Sequence, residues 1–464
     1  MNDVDLRDAL RAIVGPSAVA VAPDLNPDDL HDESLHPPTA TPRAVVRPGS
    51  TAEVAALCAW ASAHAVPLTA RGSGTGLSGG ASPVEGGVVV SFSRMNHVLR
   101  LDLDDHVAVV QPGITLRELN DALRPHALRY PVHPGELSGS LGGNVNTNAG
   151  GMRAVRHGVT RHHVIGLEAV LANGTVIRTG GPVVKLSTGY DLTQLLIGSE
   201  GTLALVTEIT LRLSPTFAHG ATVLVPFASL DDVTGVVPSI VASGLEPSMT
   251  EYIDLVTMRA ITDAASLELG VSPEVAATAT AYLVVMLETR TSTQLERDLE
   301  DLAPMLENAG ALDIYVLADG VAHRLIEARE RMFWAAKAAG ANDIVDVVVP
   351  RSKVVDLLSA ATRLAEKHGA VVTGCGHVGD GNVHLSVFQG DDERRHALLH
   401  DLFAYGLSLG GAISGEHGIG RDKQEPFLTL SDPALIDLQR RIKGVFDPGN
   451  VLNPYRLLDD RPTP

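Results

Sequence analysis

The sequence predicts an α+β protein in which a first domain of mixed helices and short strands leads into a second built on an antiparallel sheet. Three observations carry that reading. Helix starts with capping-box spacing alternate with short apolar runs through residues 38–215. Glycine-rich polar blocks interrupt those runs at 71–80, 139–151 and 198–202. From residue 216 the texture changes to longer strand-like runs and amphipathic helices.

Taken in order, residues 1–37 form a Pro- and Asp-rich N-terminal arm after one short helical stretch. Ser50 to Glu53 (STAE) is a capping box that opens the helix VAALCAWASAHA. The strand VPLTA follows, then the loop RGSGTGLSGG, then the strand GGVVVSF. Thr115 to Glu118 (TLRE) repeats the capping box and starts a second helix. GSLGGNVNTNAGG reads as a polar loop block, and VIGLEAVLANGTVIRTG as two strands turned at Asn173–Gly174. The run from Lys185 to Leu213 ends in strand alternation. In residues 216–414, TVLVPF, a helix starting near Ser229, TAYLVVMLETR and a long Leu/Glu-rich helix come first. A helix over 320–339 and the strand IVDVVVP, ended by Pro350, come next. The helix SKVVDLLSAATRLAEKHG closes on a C-terminal cap at Gly369. Residues 415–464 form a closing segment with FDPGNVLNP as its turn.

Composition narrows the function classes. The chain has 464 residues and a formal net charge of -19, which argues against a nucleic-acid surface and suits small-molecule chemistry. Its two cysteines, Cys58 and Cys375, are far apart and form no CxxC, so neither a cysteine-ligated cluster nor a disulfide framework is expected. The N-terminus MNDVDLRDAL lacks the basic and apolar regions of a signal peptide. No apolar run is long enough for a membrane span. The expectation is a cytoplasmic protein, with peripheral membrane docking left open.

Two sets of residues carry chemistry. Arg71 to Gly80 exposes successive backbone N–H groups beside a cation, a nest suited to a pyrophosphate. It is not a Rossmann loop, because strands flank it on both sides, and it has no GKS or GKT. The plain alternative is a tight turn with no ligand. Asn144, Asn146, Thr147 and Asn148 add small hydrogen-bonding groups among glycines. Near the C-terminus, His377 and His384 flank a Gly-Asp-Gly-Asn turn, and Glu416 stands beside His417. His377, His384 and Glu416 suit a His2Glu metal site with open positions, compatible with zinc first and with manganese or iron. His417, with an ordinary pKa near 6.5, suits a general base. The alternative has these histidines serving the turns alone.

Six segments in one order now resemble a known family: RGSGTGLSGG, GGNVNTNAGG, TGYDLTQLLIGSEGTL, GHVGDGNVHL, GEHGIGRDK and FDPGNVLNP. The chain resembles the FAD-linked oxidases and dehydrogenases of the vanillyl-alcohol oxidase and p-cresol methylhydroxylase type. Within them it looks like the branch of D-lactate dehydrogenase, the glycolate oxidase catalytic subunit and D-2-hydroxyglutarate dehydrogenase. The resemblance implies a two-subdomain FAD-binding domain of the p-cresol methylhydroxylase type and a C-terminal cap domain with an antiparallel sheet. It implies FAD contacts at Arg71, Gly72, Ser73, Gly74, Thr75, Gly76 and Ser78. Further contacts are implied at Pro134, Gly135, Gly142, Thr147, Asn148, Gly151, Glu200, Gly201 and Val206. The first loop has no histidine or cysteine, so FAD is expected to be noncovalent. The resemblance also implies His417 as the catalytic base.

The implied activity is metal-assisted, FAD-dependent oxidation of a 2-hydroxy acid, D-lactate or glycolate-like, to the 2-oxo acid. Electrons then pass to an external acceptor or an electron-transfer partner protein. A homodimer is compatible. Departures from the pattern concern the substrate. Lys337 stands where the hydroxyglutarate-type relatives have a carboxylate-gripping arginine, and is expected to serve in its place. Ile344 and Ser386 replace other polar residues of that pocket, while His133 and Ala204 replace an aspartate and a glycine. The remaining readings are a hydroxyglutarate dehydrogenase-like activity and an electron-transfer subunit with no substrate oxidation of its own.

Overall fold

The computed structural model describes residues 2–36 and 40–458. The expected domain boundary at 37/38 and the last residues of the closing segment, 459–464, lie outside the described residues.

The N-terminal helix Asp3–Val14 is capped by the Asn2 side chain, which accepts from the Asp5 N–H. Leu6, Leu10 and Val14 share one face at helical spacing and are buried. They enter a core with Leu57, Cys58 and Ala61 of the helix Thr51–His64. The segment expected as an arm is therefore part of the first core. Four strands complete this subdomain in the order Val19–Ala20, Ala44–Val46, Val88–Ser91, Leu68–Arg71. The last three are parallel. Ala44–Val46 and Val88–Ser91 are buried at every position, as strands covered on both faces must be. Ser50 caps the helix Thr51–His64 as expected, but Glu53 reaches back to the Gly49 N–H.

The second subdomain is a five-stranded antiparallel sheet in the order Val98–Asp102, Val107–Val110, Leu205–Arg212, Val164–Val170, Val176–Gly180. The turn at Asn173–Gly174 forms as predicted. Gly174 takes φ 84°, and the Asn173 side chain accepts from the Thr175 N–H. Thr115 and Glu118 form the full reciprocal capping box.

One block departs from the sequence reading. Leu141–Thr147 is a helix, not a loop, capped by Ser140 and ended by Asn148 in the left-handed region. Glycine and asparagine are poor helix formers, but Leu141 and Val145 are anchored in the second core. A Cβ on Gly142 would stand 2.7 Å from the Pro112 Cβ, so the close approach of the two segments requires glycine.

The second domain is a seven-stranded antiparallel sheet in the order Tyr315–Leu317, His219–Phe227, Ala281–Thr289, Met249–Asp254, Val371–Gly376, Asn382–Phe388, Asp343–Val348. One face packs against the helices Ser292–Asn308, Val354–His368 and Asp392–Ser408. The other packs against Leu255–Ala265 and Asp319–Glu330. The helix expected over 320–339 is broken at Arg331, where ψ rises to 3°, and resumes as Met332–Ala338. The closing segment returns to the first domain through the helix Pro433–Phe446 and a bridge between Leu452 and Leu68. Among the described residues, no helix is long and apolar enough to cross a membrane.

Candidate active site

The strands Val371–Gly376 and Asn382–Phe388 form a hairpin that carries His377 just past one strand and His384 within the other. Both imidazole Nε2 atoms stand 3.2 Å from the same oxygen, Oε1 of Glu416. The His377 Nδ1 is held by the buried Glu251, whose other oxygen takes the Arg329 Nε at 3.0 Å. A carboxylate behind a histidine in this way fixes which nitrogen faces the site. Burial works to lower the His377 pKa, but Glu251 and Glu416 raise it well above the ordinary value. Burial works to raise Glu416, and the two imidazoles hold it well below the usual carboxylate range.

The ligand atoms of His377, His384 and Glu416 lie within 4.8 Å of one another, as do those of Asp346, His384 and His417. Only the first trio suits a cation. Asp346 is wholly buried and already accepts from Ser414 Oγ and from the Glu416 and His417 N–H groups, with Lys423 Nζ 3.5 Å away. Two imidazole nitrogens and a carboxylate fit a divalent-metal site.

His417 stacks on His384, ring centroids 5.0 Å apart and planes 10° off parallel. Its Nδ1 lies 3.9 Å from Asp346. Burial pushes its pKa down to about 4, helped by Lys423 and His384 and opposed by Asp346 and Glu416. The ring is therefore neutral at pH 7, the form that accepts a proton.

Across the domain boundary, the first and second glycine blocks and Glu200–Gly201 line a cavity. Two buried donors in its lining, Arg71 Nη1 and Asn144 Nδ2, have no hydrogen-bond partner. Orphaned donors of this kind await an acceptor-rich ligand. A side chain on Gly74, at φ 78°, would fall on the Arg71 guanidinium. These residues fit a dinucleotide.

The predicted residues sort as follows. Arg71, Gly72, Ser73, Gly74, Thr75, Gly76 and Ser78 line the cavity, as do Pro134, Gly135, Gly142, Thr147, Glu200, Gly201 and Val206. Ser78 also donates to the His417 and Gly418 carbonyls. Glu200 accepts from the Ile419 and Gly420 N–H groups, both at 2.7 Å, so it ties the closing segment down. Asn148 and Gly151 are not in the lining. Asn148 ends a helix and caps the Arg161 N–H. A Cβ on Gly151 would lie 1.9 Å from the His133 carbonyl oxygen, so its glycine serves a backbone crossing.

Lys337 is not brought to the site. Its ammonium pairs with Glu33 at 2.9 Å and lies over the Trp334 ring, 5.2 Å from the centroid. The sequence reading missed Asp346, Glu251 and Arg329. Each sits alone in an ordinary strand or helix, and only the tertiary pairing gathers them. The available signal was a lone aspartate inside the apolar strand IVDVVVP, where a buried charge needs partners.

A second cavity opens on the cap side of the metal-type cluster. His417 and Glu416 line both cavities, so the two meet at these side chains.

A family model described as FAD linked oxidases, C-terminal domain, matches residues 217–457, and one described as FAD binding domain matches 42–180. The chain is similar to an uncharacterised FAD-linked oxidoreductase of Mycobacterium tuberculosis, 53% identical over 97% of this chain and 98% of that one. It is also similar to the D-lactate dehydrogenase of Archaeoglobus fulgidus, 37% identical over 93% of this chain and 96% of that one. The structure of p-cresol methylhydroxylase with substrate bound superposes with a TM-score of 0.81 at 18% identity, covering 99% of this chain and 97% of that one. This likeness shows the shared fold, a two-subdomain cofactor domain with an antiparallel-sheet cap.

Proposed function

The chain belongs to the FAD-linked oxidases, and on that footing we propose that it oxidises a 2-hydroxy acid of the D-lactate or glycolate type to the 2-oxo acid. The cofactors are noncovalent FAD and a divalent ion, zinc first, held by His377, His384 and Glu416. The observation that carries the reading is the meeting of the glycine-lined cavity and the cap cavity at His417 and Glu416. A proton acceptor and a metal-type site stand where a flavin from one side and a substrate from the other would touch.

When bound, the flavin accepts a hydride and the ion acts as a Lewis acid toward a hydroxyl and carboxylate. The rest is the work of side chains. Glu251 orients His377 and so fixes the cluster. Asp346 grips the backbone of Glu416 and His417. With Nδ1 on the Asp346 side, the Nε2 of His417 is left to take the hydroxyl proton. Removal of that proton at oxygen would let C2 give up a hydride, two electrons, to a flavin held by the glycine-lined cavity, and so leave the carbonyl of the 2-oxo acid. Electrons then pass to an external acceptor: oxygen, a quinone, or an electron-transfer protein such as a cytochrome. We place the protein in the cytoplasm.

The test is anaerobic mixing of FAD- and zinc-loaded protein with a panel of D- and L-2-hydroxy acids. Bleaching of oxidised-flavin absorbance by at least one enantiomer is expected. Fully loaded protein that no member of the panel bleaches would refute the assignment.

A further inference from the structure

We propose that the substrate is a 2-hydroxy acid with a long apolar side chain, housed in the cap-side cavity, its tail passing out between Val256 and Val371. The proposal rests on the reading of this site as a hydroxy-acid oxidase and names the part of the substrate that reading leaves open.

The chamber starts at His377, His384, Glu416 and His417, where the reacting carbon would sit. Beyond them its walls are Ala260, Met332, Ala336, Ile344 and Phe388, with Met152 to one side. Its cavity volume is about 530 Å³, whereas a water-sized group takes only about 30 Å³. Glycolate has no side chain and lactate a single methyl, so either leaves apolar wall at Ala260, Met332, Ala336 and Phe388 uncovered by substrate.

Charge points the same way. Arg329 is the lysine or arginine in the lining, and its charge is ion-paired with Glu251, to which Nε donates at 3.0 Å, while Nη2 lies 2.9 Å from the same carboxylate without a hydrogen bond of its own. Lys337 is paired with Glu33 outside the chamber. Glu330 is taken by His133. A second carboxylate at the far end of a substrate would meet no free cation among the described lining residues, and burying it there is costly.

The mouth settles the length. Val256 and Val371 line the chamber yet are each 62% exposed, one on the helix Leu255–Ala265 and the other opening the strand Val371–Gly376. Apolar side chains at an open rim continue the chamber wall to the surface, so a tail is not stopped inside.

The experiment uses the full chain loaded with FAD and zinc. Anaerobic flavin reduction is followed with glycolate, lactate, 2-hydroxybutanoate, 2-hydroxyhexanoate, 2-hydroxyoctanoate, 2-hydroxydecanoate and 2-hydroxyglutarate. Binding of the corresponding 2-oxo acids, which cannot be oxidised at C2, is measured by calorimetry. Each added methylene should raise kcat/KM and tighten 2-oxo acid binding by about fourfold until the rim is reached. 2-Hydroxyglutarate should rank below 2-hydroxyhexanoate. Val256→Asp and Val371→Asp, at exposed positions that leave folding intact, should cut the 2-hydroxydecanoate to lactate ratio by about tenfold. A ratio is independent of how much protein is active. Flat or falling values along the series, with lactate or glycolate oxidised, would overturn the chamber assignment and leave the oxidase reading in place. Chain-length-dependent binding of 2-oxo acids with no flavin reduction would uphold the chamber and sink the oxidase reading. Neither binding nor reduction would overturn both.

Discussion

Asp346 decides what His417 can do. It is wholly buried, and burial alone would raise its pKa, yet Lys423 and the Ser414 hydroxyl are among the neighbours that hold it well below the carboxylate range. A fixed anion thus sits behind an imidazole that is itself kept neutral. The folded pKa of His417, about 4, lies below its ordinary 6.5, so the folded chain binds fewer protons than the unfolded chain between those values. Its contribution to stability is full above 6.5 and is lost as pH falls through that window. A divalent ion on the neighbouring ligands pushes in the same direction. The acid limb of flavin reduction, followed at constant metal content, should therefore have its midpoint well below 6.5. A midpoint at or above 6.5 would mean that His417 is not held neutral. The metal-type residues and His417 were legible because they fall in two short glycine-rich motifs, GHVGDGNVH and SGEHGIG, whose residue types suit a metal and a base. Asp346 was not, and Lys337 was misplaced, because sequence order does not show that Glu33 lies beside it.

Elements dock here through glycine contacts. Gly420, at φ 56°, would place a Cβ 2.0 Å from the Ser78 carbonyl oxygen, which accepts from the Arg421 and Asp422 N–H groups. Gly420→Ala should lose about 1–3 kcal/mol from backbone strain alone, and more from the clash. Thermal unfolding and FAD content should both fall. Gly390→Ala, with nothing within 4 Å of its Cβ and no positive φ, should leave both unchanged. Equal behaviour of the two variants would show that the loop docking does not hold the cofactor cavity. Strand and helix positions were largely readable, since caps at Ser50 and Thr115 and the turn at Asn173–Gly174 act locally. The helix Leu141–Thr147 was not, because packing of Leu141 and Val145 overrides poor local propensity. The break at Arg331 was likewise silent in the apolar periodicity.

At the scale of the whole molecule, the two domains each contribute half of one reaction space. The family likeness was carried by six ordered motifs, and the first domain with its cap followed from it. The character of the cap-side chamber did not, since its walls come from segments spread between Leu77 and His417. The central claim is that His417 removes the substrate hydroxyl proton at a site shared by flavin and metal. It is tested most directly by single-turnover flavin reduction in wild type and His417→Ala, with FAD and zinc content matched. The account predicts reduction slower by about 10²–10⁴-fold in the variant, with both cofactors retained. Unchanged reduction in a fully loaded variant would contradict it.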